Sequence, residues 1–306
     1  MVLTGPNGVS EVEAGTDRLD VSVVIVNYNV RDLLRECLRS LEHDLGVLRG
    51  EVWVVDNASG DGSVEMVRSE FPWVRLLANE RNRGYGAANN QAIREAAGRY
   101  VLVLNPDTKL PPGAIVDTIA EMEASPDIGA LGPKLVLVDG TLDKACRRSF
   151  PSPMVAFYRL FGLAKLFPNN PRFARYNLSN VDEDTAIDVD SVVGAFMLVR
   201  REVVERVGMF DEAFRLYGED LDWAYRIKAA GWRVRYHPAV VVLHYKRRST
   251  SQRSVYSIRA FYEAMHIFYD KHYAQQYPRP FNWLIHTGIS AYEAVVLLRN
   301  RFKPRA

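Results

Sequence analysis

The chain is poor in cysteine, in net charge and in long uninterrupted apolar runs. Its 306 residues include two cysteines, Cys37 and Cys146, with no Cys-x-x-Cys or histidine-rich spacing. This argues against a disulfide framework and a structural zinc site, and it fits a reducing, cytoplasmic location. The 39 basic and 37 acidic residues nearly cancel, so no global field favours nucleic acid as a partner.

Neither end of the chain has a segment typical of a membrane span. The first twenty residues lack the apolar core of a signal peptide, and residues 1–19 are expected to form a flexible tail. The apolar run 281–298 contains His286 and Glu293 and is shorter than a clean span. Because basic residues follow it, an interfacial helix at the inner face of the cell membrane and a last helix packed on the domain both stay open.

Strand and helix patterns alternate through the first hundred residues. Residues 21–26 form a continuous apolar run, typical of a strand buried on both faces. The elements predicted for this half are strands 21–26, 51–55, 74–78 and 100–104, with helices at 33–41, 63–70 and 86–97. Such alternation predicts an α/β, Rossmann-like fold with a mainly parallel central sheet and helices on both faces.

The pattern is less regular in the second half. Residues 135–141 suggest a hairpin arm with an Asp-Gly turn, and residues 147–186 lack a steady period, which predicts a mobile or substrate-shaping loop region. The other predicted elements are a helix ending near residue 124, regular structure at 187–199, helices 201–207 and 219–230, and strands 232–236 and 240–243. The expected organisation is a tail at 1–19, a main domain at 20–250 and a helical extension at 251–306.

The stretch that ends at Asp107 is the most informative. Four apolar residues, 101–104, run through Asn105 and a proline into this acid, which should stand at the carboxyl end of a buried strand, where α/β sheets bind ligands. Asp107 is therefore a candidate ligand for a divalent cation carrying a diphosphate. The same run is also good turn chemistry, and that alternative stays open.

Polar residues follow the other predicted strands as well. Asn27 and Tyr28 follow the first strand and Asp56 the second, and the carboxyl ends of neighbouring parallel strands converge on one crevice. The loop 79–90 combines glycines, two arginines and amides before a helix, which is typical of a phosphate cradle or of a helix cap. It is not the glycine fingerprint after the first strand that an NAD-dependent oxidoreductase needs.

Three features of the second half are ambiguous when each is taken alone. Gly194 and Ala195 enter a strand of small and apolar residues. Glu219 and Asp220 open a helix, where the helix dipole favours acids without any further role. His244 ends an apolar strand, and a satisfied strand-end residue is the simpler interpretation.

Six motifs follow one another in order along the chain. They are VVIVNYN at 23–29, VVDNAS at 54–59, NRGYGAAN at 82–89, LNPD at 104–107, GAFML at 194–198 and GED at 218–220. In this order they resemble the family 2 glycosyltransferases with a GT-A fold, and among these the bacterial rhamnosyltransferase branch that builds cell-wall and surface polysaccharide. The resemblance covers residues 20–250.

The resemblance implies a role for particular positions. The residues implied for nucleotide and donor binding are Asn27, Tyr28, Asp56, Asn82, Gly84, Asn89, Asn105 and Arg247. Those implied for the acceptor side are Gly194, Ala195, Glu219 and Trp223. Asp220 matches the catalytic base, and Asp107 and His244 match the ligands of Mg²⁺ or Mn²⁺. Asn105 replaces the first acid of the family's Asp-x-Asp motif, which favours a water-rich metal shell with one protein carboxylate.

The implied activity is inverting transfer of a sugar, by direct displacement, to a hydroxyl of a glycan or lipid-linked acceptor. The favoured donor is dTDP-rhamnose, and a UDP-sugar and a homodimer stay open. A non-catalytic nucleotide-sugar-binding protein on the same scaffold is the alternative from another class, since a fold by itself does not define a function.

Overall fold

The computed structural model describes residues 18–246 and 254–302. Its strands are β1 Val21–Asn27, β2 Gly50–Asp56, β3 Arg75–Ala78, β4 Tyr100–Leu104, β5 Thr108–Lys109, β6 Ile128–Val136, β7 Ile187–Val189, β8 Phe196–Arg200 and β9 Arg233–His244. Its α-helices are α1 Arg31–Leu45, α2 Ser63–Glu70, α3 Tyr85–Glu95, α4 Ala114–Ala124, α5 Pro153–Leu160, α6 Leu163–Leu166, α7 Arg201–Val207, α8 Glu219–Ala229, α9 Val255–His272 and α10 Arg279–Arg301. The α/β class predicted from the sequence is confirmed.

The strands form one mixed sheet in the order β3-β2-β1-β4-β8-β6-β9-β5, and β7 pairs with β9 beside this path. The first four strands in this order are parallel, as the alternating pattern predicts. β8 then runs antiparallel to both β4 and β6. The register aligns Asn27 with Asp56, and β4 lies on the other side of β1. The polar residues after these three strands therefore emerge at one edge of the sheet.

The burial of side chains explains why the strands and helices of the first half are predictable from the sequence. All seven residues of β1 are buried, and α1 covers the sheet with Leu34, Leu38 and Leu41, none of which is exposed. Each such side chain stabilises the fold by about 1.5–3 kcal/mol relative to an exposed one. Cys37 and Cys146 are buried free thiols, as expected for a chain without a disulfide framework.

Two strand predictions in the second half were wrong. β6 is a central strand that the pattern analysis missed, and the hairpin expected at 135–141 is reduced to a turn closed by one bridge between Val136 and Leu142. β9 is one strand of 12 residues instead of two. Its pairing with β6 shifts register after His237, where Pro238 follows. A proline removes a ladder hydrogen bond and is tolerated at such an irregularity.

The irregular segment 147–186 contains the short helices α5 and α6 and a cluster of aromatic rings. The ring centroids of Phe157 and Phe161 are 4.4 Å apart, and Phe173 lies 5.0 Å from Tyr158. Phe157 and Phe161 are 47% and 64% exposed. This segment therefore has local order built on aromatic contacts, while its role in substrate binding stays a prediction.

The two C-terminal helices pack differently. Ala264 and Phe268 of α9 belong to a small apolar cluster with Phe214 and Leu221. α9 therefore packs against the N-terminal end of α8. α10 packs mainly on α9, and among the described residues of this helix Asn300 is the one that is buried. Among the described residues, no helix has both the length and the apolar character needed to cross a bilayer.

Candidate active site

The ends of β1 and β2 form a buried polar pair. The side-chain amide of Asn27 donates to Asp56 Oδ2 at 2.8 Å and to the Ser59 hydroxyl at 3.1 Å, and the Ser59 backbone N–H donates to Asp56 Oδ1 at 2.8 Å. Asn27 Oδ1 is buried and has no partner among the described residues. Tyr28, the next residue, is 51% exposed. This end of the crevice therefore combines a preorganised carboxylate, a free buried acceptor and an accessible aromatic ring.

The loop before α3 is held by amide side chains. Asn57 donates to Asn82 Oδ1 at 2.9 Å, and the same oxygen accepts from the Gly84 N–H at 2.9 Å. Gly84 has φ of +86°, and a Cβ there would lie 3.0 Å from the Arg215 carbonyl oxygen, so only glycine fits this position. Asn89 lies inside α3, where its amide donates to the Tyr85 carbonyl at 2.9 Å. Its Oδ1 is buried without a partner among the described residues.

Asp107 and His244 are neighbours at the same edge of the sheet. β5 pairs Thr108 with His244, and Asp107 Oδ1 lies 3.3 Å from His244 Nε2. The other ring nitrogen, Nδ1, is 2.9 Å from Asp143 Oδ2. Burial opposes the charged ring, but the hydrogen bonds to Asp107 and Asp143 raise the pKa of His244 to about 9. The carboxylate of Asp143 thus orients the ring, in the way that carboxylates orient metal-binding histidines.

Tyr85 lies between the loop that follows β4 and the segment that precedes β8. Its hydroxyl lies 3.0 Å from both Asn105 Oδ1 and the Gly194 carbonyl oxygen. Burial and the charges of Glu219, Asp220 and Asp107 raise its pKa well above the usual range. All three carboxyl groups therefore act on one hydroxyl, although they come from distant parts of the chain. Because Asn105 Oδ1 accepts from Tyr85, this oxygen is engaged within the protein.

Asp220 is bound by three donors. Its Oδ2 accepts from Arg148 Nη2 at 2.7 Å and from the Gly194 N–H at 3.2 Å, and its Oδ1 accepts from the Leu221 N–H at 2.8 Å. Burial disfavours the charged guanidinium of Arg148, but the interactions with Asp220 and Tyr176 outweigh this and raise the pKa of Arg148. The carboxylate of Asp220 is therefore oriented at the first turn of α8, and it contacts the backbone of Gly194, just before β8.

Two of the acceptor-side assignments do not match the positions of the side chains. Trp223 is fully buried and donates through Nε1 to the Gly208 carbonyl at 2.8 Å, so it packs in the core instead of lining the crevice. Ala195 is 1% exposed, and its carbonyl accepts from the Asn105 N–H, so it contributes backbone only. Arg247, assigned to the donor, lies outside the described residues, as does the neighbouring Arg248.

Three residues that contact predicted site residues were not identified as candidates from the sequence. Asp143 contacts His244 across 101 positions, and Arg148 contacts Asp220 across 72 positions. Nothing in their local sequence distinguishes them from ordinary loop residues. Tyr85 lies in the NRGYGAAN motif, directly before the helix predicted at 86–97, and this position was the signal available from the sequence.

Comparison with known proteins decides the family of this site. The family model described as "Glycosyl transferase family 2" matches residues 22–208. This chain belongs to glycosyltransferase family 2. The matched range contains Asn27, Asp56, Asp107 and Gly194, while Asp220 and His244 lie beyond it.

The sequence relatives of this family 2 glycosyltransferase include a rhamnosyltransferase. The N-acetylglucosaminyl-diphospho-decaprenol L-rhamnosyltransferase of Mycobacterium tuberculosis is 30% identical over 283 residues, which is 88% of this chain and 90% of that protein. The rhamnosyltransferase resemblance predicted from the motifs is therefore confirmed.

Solved structures support the GT-A fold. A mannosyltransferase from Pyrobaculum calidifontis, solved with GDP-Man and Mn²⁺, has a TM-score of 0.55 at 22% identity and matches 91% of this chain and 70% of its own. TarS of S. aureus, residues 1–349 with UDP, has a TM-score of 0.53 at 18% identity and matches 81% of this chain and 64% of its own. At these identities the likeness concerns the fold alone.

The donor atoms at Asp107 and His244 fit a divalent cation that keeps other ligands, provided that the cation displaces the proton on His244 Nε2, as metal binding to histidine requires. Within residues 18–246 and 254–302, no group of three or more His, Cys, Asp or Glu side chains is arranged to hold a metal. One carboxylate and one imidazole lie together instead. Mg²⁺ and similar cations usually take one or two protein ligands and complete their shell with water and substrate phosphate oxygens.

Proposed function

We propose that this family 2 glycosyltransferase transfers rhamnose from dTDP-rhamnose to a hydroxyl of a lipid-linked glycan, with inversion at the anomeric carbon. The observation that carries the proposal is the 30% identity, over nearly the full length of both chains, to a protein named for rhamnosyl transfer to a diphospho-decaprenol-linked sugar. The site geometry supports the proposal. Asp107 and His244 lie together as a pair that could hold a cation, Arg148 orients the carboxylate of Asp220, and both Asp107 and Asp220 act on the hydroxyl of Tyr85.

The nucleotide would lie against the ends of β1 and β2. Buried acceptors without partners cost about 1–3 kcal/mol each, and Asn27 Oδ1 has no partner in the part of the chain that the structure describes. An N–H of a pyrimidine base would satisfy this atom, and the exposed ring of Tyr28 offers a stacking surface. Asp107 and His244 would hold the cation beside the diphosphate. The cation would supply charge neutralisation for the leaving group when bound.

Asp220 is the proposed base for the displacement. The acceptor oxygen attacks the anomeric carbon, the bond from that carbon to the diphosphate oxygen breaks, and its electron pair leaves with the diphosphate. The acceptor proton passes to the carboxylate of Asp220. Arg148 and the Gly194 N–H orient this carboxylate, so the base is positioned before the acceptor arrives.

A transfer assay tests this function. Purified full-length chain should move radiolabelled rhamnose from dTDP-rhamnose to a polyprenyl diphosphate carrying N-acetylglucosamine. UDP- and GDP-hexoses at equal concentration should serve less well, although the thymine methyl alone discriminates by only about 1–3 kcal/mol. Equal or better turnover of a UDP-hexose would contradict the donor assignment.

Asp107 should be required for metal-dependent donor binding. We expect Asp107→Ala to weaken the binding of dTDP with Mn²⁺ by at least about a hundredfold, because it removes the one carboxylate of the proposed site. Isothermal titration calorimetry measures this directly. Asp117→Ala, an exposed acid ten positions later on α4, is the matched control. Unchanged affinity in Asp107→Ala would remove this residue from the site.

α10 is the proposed membrane contact, since a lipid-linked acceptor requires the enzyme to work beside a bilayer. The helix exposes apolar side chains at helical spacing, namely Leu284, Ala291, Tyr292, Val295 and Leu298, and the exposed Phe302 directly follows its last residue. Arg299 and Arg301 lie in its last turn, and arginines at the end of an apolar face favour anionic lipid. Lys303 and Arg305 lie outside the described residues.

Liposome flotation tests the membrane contact. We expect vesicles containing anionic lipid to carry the parent chain upward and to lose the Leu284→Glu/Leu298→Glu variant, because each introduced charge would have to enter the lipid interface. The control is Val47→Glu/Val138→Glu, which alters two valines that are 68% and 69% exposed elsewhere on the surface. Equal flotation of both variants would count against α10 as the contact.

A further inference from the structure

Among the described residues, Glu219 is the acid of the crevice that has a buried side-chain oxygen without a hydrogen-bond partner. The residue is 8% exposed, and among the described residues no group forms a hydrogen bond with its Oε2. Asp220, the next residue, has three donors on its two oxygens. Buried polar atoms are almost always paired, so Glu219 is expected to gain a partner from a bound molecule.

The groups around Glu219 determine its charge. Burial and the negative charge of Asp220 raise its pKa to about 8, while its own backbone N–H and the guanidinium of Arg148 act in the opposite direction. Among the described residues, the hydroxyl of Tyr85, from α3, also interacts electrostatically with Glu219, and because the pKa of that hydroxyl is raised well above its usual range, it stays neutral. At neutral pH Glu219 therefore carries a proton and has both a hydrogen-bond donor and an acceptor.

A purely structural role explains this arrangement poorly. An acid in the first turn of a helix is favoured by the helix dipole when it is ionised, but Glu219 is buried beside Asp220, which already has an arginine as its partner. Within the described residues its Oε2 caps no helix and closes no ion pair. Its position next to Asp220, at the crevice, is what distinguishes it.

We propose that Glu219 binds the acceptor as a neutral carboxylic acid, donating a hydrogen bond to the sugar oxygen that neighbours the hydroxyl deprotonated by Asp220. This rests on the proposed function. The acceptor class is then a sugar with a second oxygen, from a hydroxyl or an acetamido group, beside the attacking hydroxyl. Glu219 keeps its proton throughout, and the proton released by the attacking hydroxyl goes to Asp220, so the transfer stays balanced.

The neutral form is the one that suits this task. A carboxylate has no proton to donate, and a second negative charge beside Asp220 would repel both that base and electron-rich acceptor oxygens. An amide of the same shape keeps the donor and the acceptor without any charge. Glutamine at this position should therefore replace the acid, whereas alanine should not.

Steady-state kinetics of the full chain test the proposal. We expect Glu219→Ala to raise the acceptor KM by about tenfold or more, the loss expected for a buried hydrogen bond, with the donor KM unchanged. Glu219→Gln should restore most of this loss. Acceptor kcat/KM of the parent should fall as the pH rises past about 8, and this alkaline decline should be absent in Glu219→Gln. A decline that persists in Glu219→Gln, or an equal loss in both variants, would overturn the proposal.

Infrared spectroscopy provides a readout that does not depend on turnover. The parent should have the C=O stretch of a protonated carboxylic acid at neutral pH, and Glu219→Gln should lack it. Absence of this band from the parent would overturn the role of Glu219 and leave the proposed function intact. A parent that has the band but transfers sugar to no acceptor would contradict the proposed function, and the inference about Glu219 with it.

Discussion

Asp220→Asn is expected to lower sugar transfer by at least about a hundredfold, because a positioned base contributes about 10² to 10⁴-fold and an amide cannot take the proton. The asparagine oxygen can still face Arg148 and the Gly194 N–H, which lie 2.7 and 3.2 Å from Asp220 Oδ2. The contact that changes is the one with the Leu221 N–H, where an amide N–H₂ replaces an acceptor oxygen. The loss should therefore appear in kcat, with donor binding little changed.

Calorimetry and thermal unfolding separate this loss from a folding defect. Asp220→Asn should bind dTDP and Mn²⁺ with nearly parental affinity and unfold within a few degrees of the parent. The matched control is Asp188→Asn, which alters an acid that is 42% exposed and paired with Arg233 and Arg235. Transfer at a near-parental rate by Asp220→Asn would exclude Asp220 as the base.

The second large effect is on stability and concerns Asp222. This side chain is fully buried, and it accepts from Arg226, Lys271 and His272, each at 2.8 Å. Lys271 and His272 belong to α9, so Asp222 joins α9 to the first turn of α8. Removing one partner from a buried ion pair costs about 3–5 kcal/mol. We expect Asp222→Asn to lower the free energy of unfolding by this amount in urea denaturation.

The control for Asp222 is an exposed acid with the same kind of partner. Asp127 is 62% exposed and lies 2.6 Å from Arg233, and exposed pairs contribute about 0–1 kcal/mol. Asp127→Ala should therefore unfold almost like the parent. If both variants lose equal stability, the link between α8 and α9 is not what holds this region.

The ion pairs of Asp222 also predict that the free energy of unfolding depends on pH in the acid range. Burial opposes ionisation of Asp222, but His272 and Lys271 outweigh it and lower its pKa from 3.8 to about 2. Because the folded-state pKa is lowered, the contribution is complete above about pH 4 and is lost as the pH falls towards about 2. Asp222→Asn should lack this part of the acid dependence.

The first half of the fold was predictable because its signals are local. The strand at residues 100–104 and the helix at 63–70 were predicted with the bounds that the structure has, and in the second half the same holds for the helix at 201–207. β6 was missed because Gly129, Gly132 and Pro133 interrupt its apolar pattern. β9 was divided because Pro238 resembles a turn signal, while its pairing with β6 continues on both sides of that proline.

The sequence by itself determined the α/β class, the parallel half-sheet and the family resemblance, and through these the kind of chemistry. Periodicity, glycine positions and motif order are properties of neighbouring residues, so they can be read before folding. Only the tertiary structure decided that Asp143 orients His244, that Arg148 holds Asp220, and that Trp223 belongs to the core. These contacts and burials depend on strand order and on packing between segments as far as 101 positions apart, and no local pattern encodes them.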